Sequence, residues 1–82
     1  MDDLEAWSRS ISALDLRCIQ VHRRICLVSS LKYQTKTGYY VPRIGKQAAM
    51  ARLTELVECL RGEYRALRLA GKALHKAYMR AA

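Results

Sequence analysis

The chain has 82 residues, a formal net charge of +8 and three cysteines. This length fits one small domain, residues 1–82, near the lower limit at which a single chain buries enough apolar surface to be stable alone. An odd number of cysteines argues against a disulfide-linked secreted scaffold and favours reduced thiols in the cytoplasm. The longest strongly apolar run, residues 25–28, is far too short to span a membrane, and the acidic start of the chain does not resemble a signal peptide.

The first predicted element is a helix from about residue 3 to about residue 30. Asp2 is its expected N-cap, because Glu5 follows three residues later as in a capping box. Apolar residues recur along this segment at alternating steps of three and four, the spacing of a helix that packs along one stripe against another helix. This first seam consists of Leu4, Trp7, Ile11, Leu14, Cys18, Val21, Ile25 and Val28.

A connector follows at about residues 31–42, rich in tyrosine and threonine around Gly38. It could form a short β-hairpin in which residues 32–34 pair with residues 39–41. An irregular loop is the alternative, because a two-stranded sheet is only marginally stable on its own. The sequence leaves both possibilities open.

The second predicted helix, at about residues 43–79, carries a seam of the same kind. Its members are Met50, Leu53, Val57, Leu60, Tyr64, Leu67, Gly71 and Leu74. In an antiparallel register that places Trp7 opposite Gly71, the largest side chain meets the residue without one. The same register places Asp15 beside Arg61 and Arg17 beside Glu63, which predicts an all-α antiparallel helical hairpin.

Further apolar residues lie outside the two seams and need cover from another surface. They are Leu16, Ile19, Cys26, Leu27 and Leu31 in the first helix, and Leu56, Cys59, Ala66, Leu69, Ala70 and Ala73 in the second. A second copy of the chain could cover them, which predicts a homodimer that forms a four-helix bundle. The alternative is a monomeric hairpin that docks on a different protein.

Residues that could carry chemistry are few. Cys18, His22 and Cys26 are four residues apart along one helix, and Cys59 could complete a zinc site. However, Cys18 belongs to the seam and no compact pair of cysteines exists, so apolar packing of the cysteines is favoured. No nucleophile with an oriented base and no phosphate-binding loop is evident. We therefore expect no enzyme activity, no metal or cofactor and no small-molecule substrate.

The distribution of charge points to a binding function. Residues 17–46 contain seven basic residues and no acidic residue, and helix 2 carries a ridge of cations. Tyrosine and arginine are common at the energetic centres of protein interfaces, although a solvated loop and a solvated helix face would show the same composition. The candidate partner-binding residues are Lys32, Tyr33, Lys36, Tyr39, Tyr40, Arg43, Lys46, Arg65, Arg68, Lys72 and Lys76.

These features predict a small cytosolic protein–protein interaction module that engages an acidic partner surface. Very small proteins without catalytic motifs are often inhibitors or adaptors, including those encoded by phages and mobile elements. The alternative function is nucleic-acid binding without sequence preference, because cations suit phosphates and aromatic rings stack on bases. Membrane adsorption is disfavoured, since helix packing already uses the apolar seams.

Overall fold

The computed structural model describes residues 3–81, which form two long helices and a short connection. Helix α1 spans Asp3–Thr37 and helix α2 spans Lys46–Ala81. The helices pack against each other in a rod whose Cα extents are 54 × 16 × 16 Å. The predicted all-α hairpin is confirmed, whereas the alternative β-hairpin is wrong, because residues 31–37 are helical and no strand occurs among residues 3–81. The predicted N-cap at Asp2 lies outside the described residues.

Helix α1 ends seven residues later than the sequence predicts, at Thr37 instead of about residue 30. The Ser29-Ser30 pair does not end it. Thr35 and Thr37 remain helical, and their hydroxyls are satisfied within the helix: Thr35 Oγ1 donates to the Leu31 carbonyl at 2.8 Å, and Thr37 Oγ1 donates to the Tyr33 carbonyl at 3.0 Å. Thr35 is 1% exposed, so α1 packs against α2 for one heptad more than predicted.

Two glycines with positive φ define the connection at residues 38–45. Gly38 (φ 85°) follows the last residue of α1, and Gly45 (φ 95°) precedes the first residue of α2. Residues other than glycine rarely adopt a positive φ because their Cβ atoms clash with the backbone. The Tyr40 N–H donates to the Gln34 carbonyl at 3.1 Å, and the Ala49 N–H donates to the Gly45 carbonyl at 3.0 Å, so the connection is tied to both helices.

The core follows the predicted seams. Val21, Val57 and Leu60 are buried, and most other seam residues are half-buried. Leu4, at the open end of the hairpin, is 45% exposed. A two-helix interface encloses only a narrow stripe on each helix, and this explains why few side chains among residues 4–80 are fully buried.

The register between the helices differs from the predicted one by one heptad. The ring of Trp7 packs against Tyr78, with centroids 6.0 Å apart and an interplanar angle of 62°, rather than against Gly71. A Cβ atom added to Gly71 would meet nothing within 4 Å, so this glycine does not accommodate the tryptophan. The shift follows from the longer α1, which moves the turn further along the sequence.

Of the two ion pairs predicted beside the seam, one is present in the structure and the other is not. The predicted pair of Arg17 and Glu63 is present, with Nη2 of the arginine 2.6 Å from Oε1 of the glutamate. The predicted pair of Asp15 and Arg61 is wrong, because no ion pair joins them and Asp15 lines grooves with Arg68 instead. Arg68 lies seven residues beyond Arg61, which is the same one-heptad shift.

The solvent-accessible area of the hairpin is large for a chain of this size. The solvent-accessible area is 6499 Å² for a mass of 9.4 kDa. A globular monomer of this mass exposes about 5,000 Å². The rod therefore leaves on the order of 1,500 Å² more surface open than a compact monomer does.

Neither helix carries an apolar stretch long enough to cross a membrane within the described residues.

Candidate partner-binding surface

Cations from both helices share one side of the hairpin, which we call the basic side. Five of them follow a ridge on α2, within about 80° of helix circumference and over about 22 Å of helix length at 1.5 Å per residue. Two cations and a tyrosine from the last turns of α1 lie next to α2 on the same side. The basic side consists of Lys32, Tyr33 and Lys36 of α1 and of Arg61, Arg65, Arg68, Lys72 and Lys76 of α2.

A line of shallow grooves runs along the basic side. A groove of about 420 Å³ is lined by Arg68, Lys72 and Lys76, among other residues. A second groove shares Arg68 with this first one, and a third groove shares Tyr64 with the second. A fourth groove, at the end of α1, shares Arg61 with the third. The shared residues make this a continuous track between the turn and the open end of the hairpin, long enough for an extended surface of another macromolecule.

The cations of the basic side form no ion pair with a carboxylate among the described residues, so this side retains its positive charge. In the described part of the chain, the ion pairs are formed by Arg9 with Glu5 and by Arg17 with Glu63, and none of these four residues lines the grooves of this side. Two acids, Asp15 and Glu58, line its grooves without pairing with its cations. Seven cations with two interspersed acids produce a positive field that attracts anionic surfaces.

A second depression, which we call the turn groove, lies where the connection meets the helices. Its volume is about 430 Å³, and its apolar lining comes from Leu31, Tyr40, Pro42, Ile44, Ala49 and Leu53. Arg43 and Arg52 complete the lining, and no acidic residue contributes to it. The turn groove shares no lining residue with the groove at the end of α1, so the hairpin has two separate surfaces at this end.

The candidate residues predicted from the sequence are therefore divided between different places. Lys32, Tyr33, Lys36, Arg65, Arg68, Lys72 and Lys76 lie along the basic side, whereas Tyr40 and Arg43 line the turn groove. Tyr39 and Lys46 are exposed in the connection and at the start of α2, and Tyr39 is 90% exposed. Residues 32–37 belong to the last turns of α1 rather than to a loop, so the residues predicted there are divided between the helix and the connection.

Sequence reasoning missed several members of both surfaces. It assigned Arg61 to Asp15, although Arg61 belongs to the basic side. It also missed Ile44 and Arg52, which line the turn groove. Ile44 carried a signal, since it is a large apolar residue outside the heptad pattern, and it is 56% exposed.

The cysteines lie apart from one another. Cys18 is half-buried, whereas Cys26 and Cys59 are exposed, and all three are free thiols. Cys26 Sγ lies 3.6 Å from His22 Nε2 one turn away. Among the described residues, no three histidine, cysteine or acidic side chains come together in a way that could hold a metal ion.

The flank of α2 that carries Glu55 and Glu63 has small apolar side chains along much of the rest of its length, and we call it the alanine side. Its members lie within about 100° of one another on α2 and face away from the basic ridge. They are Leu56, Cys59, Ala66, Ala70 and Ala73, all exposed. An exposed surface of small apolar side chains permits close approach of another helix.

Comparison of the chain with models of protein families, with curated proteins and with solved structures found no match.

Proposed function

We propose that this protein is a non-catalytic interaction module that binds an acidic surface of a partner protein through its basic side. The observation that supports the proposal best is the alignment of unpaired cations from both helices along one continuous track of grooves. Long-range attraction between such a surface and an acidic one accelerates association and selects the orientation of the partner. A small regulator, inhibitor or adaptor of cytoplasmic proteins is the functional class that fits these properties.

The exposed apolar residues of the turn favour a protein partner over nucleic acid. The aliphatic residues Val41 and Ile44 are 83% and 56% exposed. Burial of aliphatic side chains in an apolar pocket of another protein stabilises the complex. They make few favourable contacts with a phosphate backbone, whose recognition relies on cations and hydrogen bonds.

Binding of nucleic acid without sequence preference is the second candidate function, supported by the ridge from Arg61 to Lys76. Five cations along about 22 Å of one helix could each neutralise a phosphate. The affinity for a random DNA or RNA duplex would then fall steeply between 50 and 200 mM salt, on the order of 10²-fold or more for several phosphate contacts. Absence of a gel shift at low salt with either duplex would exclude this candidate.

We further propose that two copies of the chain associate through their alanine sides into a four-helix bundle. Such an association would cover part of the surface that the rod exposes beyond that of a compact monomer. The small side chains of Ala66, Ala70 and Ala73 would let the helices of the two copies approach closely. The basic side would remain open on both copies, so the two proposals are compatible.

The proposed function can be tested by capture of partners from a nuclease-treated extract of the source organism. The basic-side variant is Arg68→Gln/Lys72→Gln. The matched control, Arg24→Gln/Arg80→Gln, removes the same charge from exposed positions outside every groove described above. We expect wild type and control to retain the same acidic protein and the basic-side variant to lose it. Equal capture by all three proteins would contradict the proposal.

A further inference from the structure

The turn groove combines an apolar floor with two guanidinium groups. Ala49 is buried at 6% exposure, and Leu31, Pro42 and Leu53 are half-buried around it. Tyr40 and Ile44 form walls that are 47% and 56% exposed. A depression of this composition accepts an apolar side chain, because burial of that chain removes apolar area from water on both partners.

The shape of the turn groove is fixed by the backbone of the connection. The Tyr40 N–H donates to the Gln34 carbonyl at 3.1 Å, and the Gly45 N–H donates to the Pro42 carbonyl at 3.1 Å. The positive φ angles of Gly38 and Gly45 set the direction in which the chain leaves α1 and enters α2. These hydrogen bonds tie the connection together and to the end of α1, and the groove is present in the chain without a ligand.

The charges of the lining select the chemistry of the occupant. Arg43 and Arg52 are both exposed members of the lining, and no carboxylate contributes to it. Arginine binds carboxylates through paired N–H donors with matched geometry. An apolar side chain flanked by acidic residues would therefore satisfy both parts of the groove at once.

We infer that the turn groove binds a leucine-containing acidic segment of the partner protein, with the leucine on the apolar floor and the neighbouring carboxylates on Arg43 and Arg52. This inference rests on the proposed function, because it specifies the chemistry of the partner that the basic side attracts. It adds a second contact point at the turn, separate from the grooves of the basic side.

The test uses the full chain and two capped eight-residue peptides, observed through backbone amide signals. One peptide has two adjacent leucines flanked by aspartates, and the other has asparagines in place of the aspartates. We expect the aspartate peptide to shift the amide signals of residues 43–53, and the asparagine peptide to bind about fivefold more weakly, as expected for two exposed ion pairs. Equal affinities, shifts confined to residues 61–76, or no shift at millimolar peptide would each overturn the inference.

Variants separate the groove from general charge effects. Arg43→Gln/Arg52→Gln should weaken the aspartate peptide about fivefold, and Ile44→Ser should weaken both peptides by removing an apolar wall. The control Arg24→Gln/Arg80→Gln should bind within about twofold of wild type, because neither residue lines the groove. If the control weakens binding as much as Arg43→Gln/Arg52→Gln, the inference is wrong. If the peptide binds as expected while the Arg68→Gln/Lys72→Gln variant still captures every partner, the proposed function fails and the groove inference stands.

Discussion

The indole ring of Trp7 packs edge-on against the phenol ring of Tyr78, with ring centroids 6.0 Å apart. This contact joins the start of α1 to the last turns of α2. It therefore reports the register of the whole hairpin, because a shift by one heptad would place Trp7 next to Gly71 instead. His22 and Tyr64, whose ring centroids are 5.9 Å apart, form a second contact between the helices nearer the middle of the rod.

The first prediction concerns this register. In a double-mutant cycle, Trp7→Ala and Tyr78→Ala should show a coupling of about 0.5–1.5 kcal/mol, as expected for an edge-to-face aromatic pair. The control cycle of Trp7→Ala with Tyr64→Ala should show a coupling near zero, because Tyr64 contacts His22. Urea unfolding of the wild type, the three single variants and the two double variants measures both quantities. Coupling in the control cycle but not in the first would contradict the register.

The second prediction uses the four glycines, for which the same substitution should have opposite effects. Gly62 and Gly71 are helical, and a Cβ atom at either would meet nothing within 4 Å. Replacement of either by alanine should raise the free energy of unfolding by about 0.5–1 kcal/mol. At Gly38 and Gly45 alanine would have to adopt a positive φ, and we expect a loss of about 1–2 kcal/mol.

Thermal or urea unfolding of the four single variants tests this contrast. A destabilised Gly71→Ala variant would show that this glycine does accommodate a neighbouring side chain. A neutral Gly38→Ala variant would show that the connection does not depend on positive φ.

These two predictions also show how far the sequence determines the fold. The alternation of three and four residues correctly identified both helices and the buried Val21, Val57 and Leu60. It could not fix the register, because a shift by seven residues leaves every seam position on the seam. The end of α1 was missed since serine and threonine disfavour helices in general, whereas here the burial of Thr35 against α2 outweighs that preference.

The candidate surface was predictable to the extent that it depends on helical periodicity. The ridge on α2 followed from the spacing of Arg65, Arg68, Lys72 and Lys76. Tyr33 and Tyr40 line different grooves, because Tyr33 lies in α1 whereas Tyr40 lies in the connection that follows it. Short distance along the chain does not predict a shared surface when a helix end lies between the residues.

The third prediction concerns the ion pair between Arg17 and Glu63. Both side chains are partly exposed, so Glu63→Gln should lower the free energy of unfolding by about 0.2–1 kcal/mol at low salt. The difference should shrink in 1 M NaCl, where the screening length is about 3 Å. Paired urea titrations of the two proteins at both salt concentrations measure it. A difference that does not change with salt would point to packing rather than charge.

The fourth prediction concerns self-association. Ala70→Arg places a long charged side chain on the alanine side and should convert a dimer into a monomer by sedimentation equilibrium. Ala51→Arg makes the same change at an exposed position outside that side and should leave the mass unchanged. A monomeric wild type at high micromolar concentration would exclude the four-helix bundle, and an equal effect of both variants would exclude the alanine side as its interface.

The central claim, that the basic side binds an acidic protein surface, is tested most directly by the dissociation constant of the captured partner. It should be measured for wild type, Arg68→Gln/Lys72→Gln and Arg24→Gln/Arg80→Gln under one salt condition. We predict at least a tenfold weaker complex for the basic-side variant, equivalent to about 1.4 kcal/mol, and a change within about twofold for the control. Equal dissociation constants for the two variants would contradict the claim.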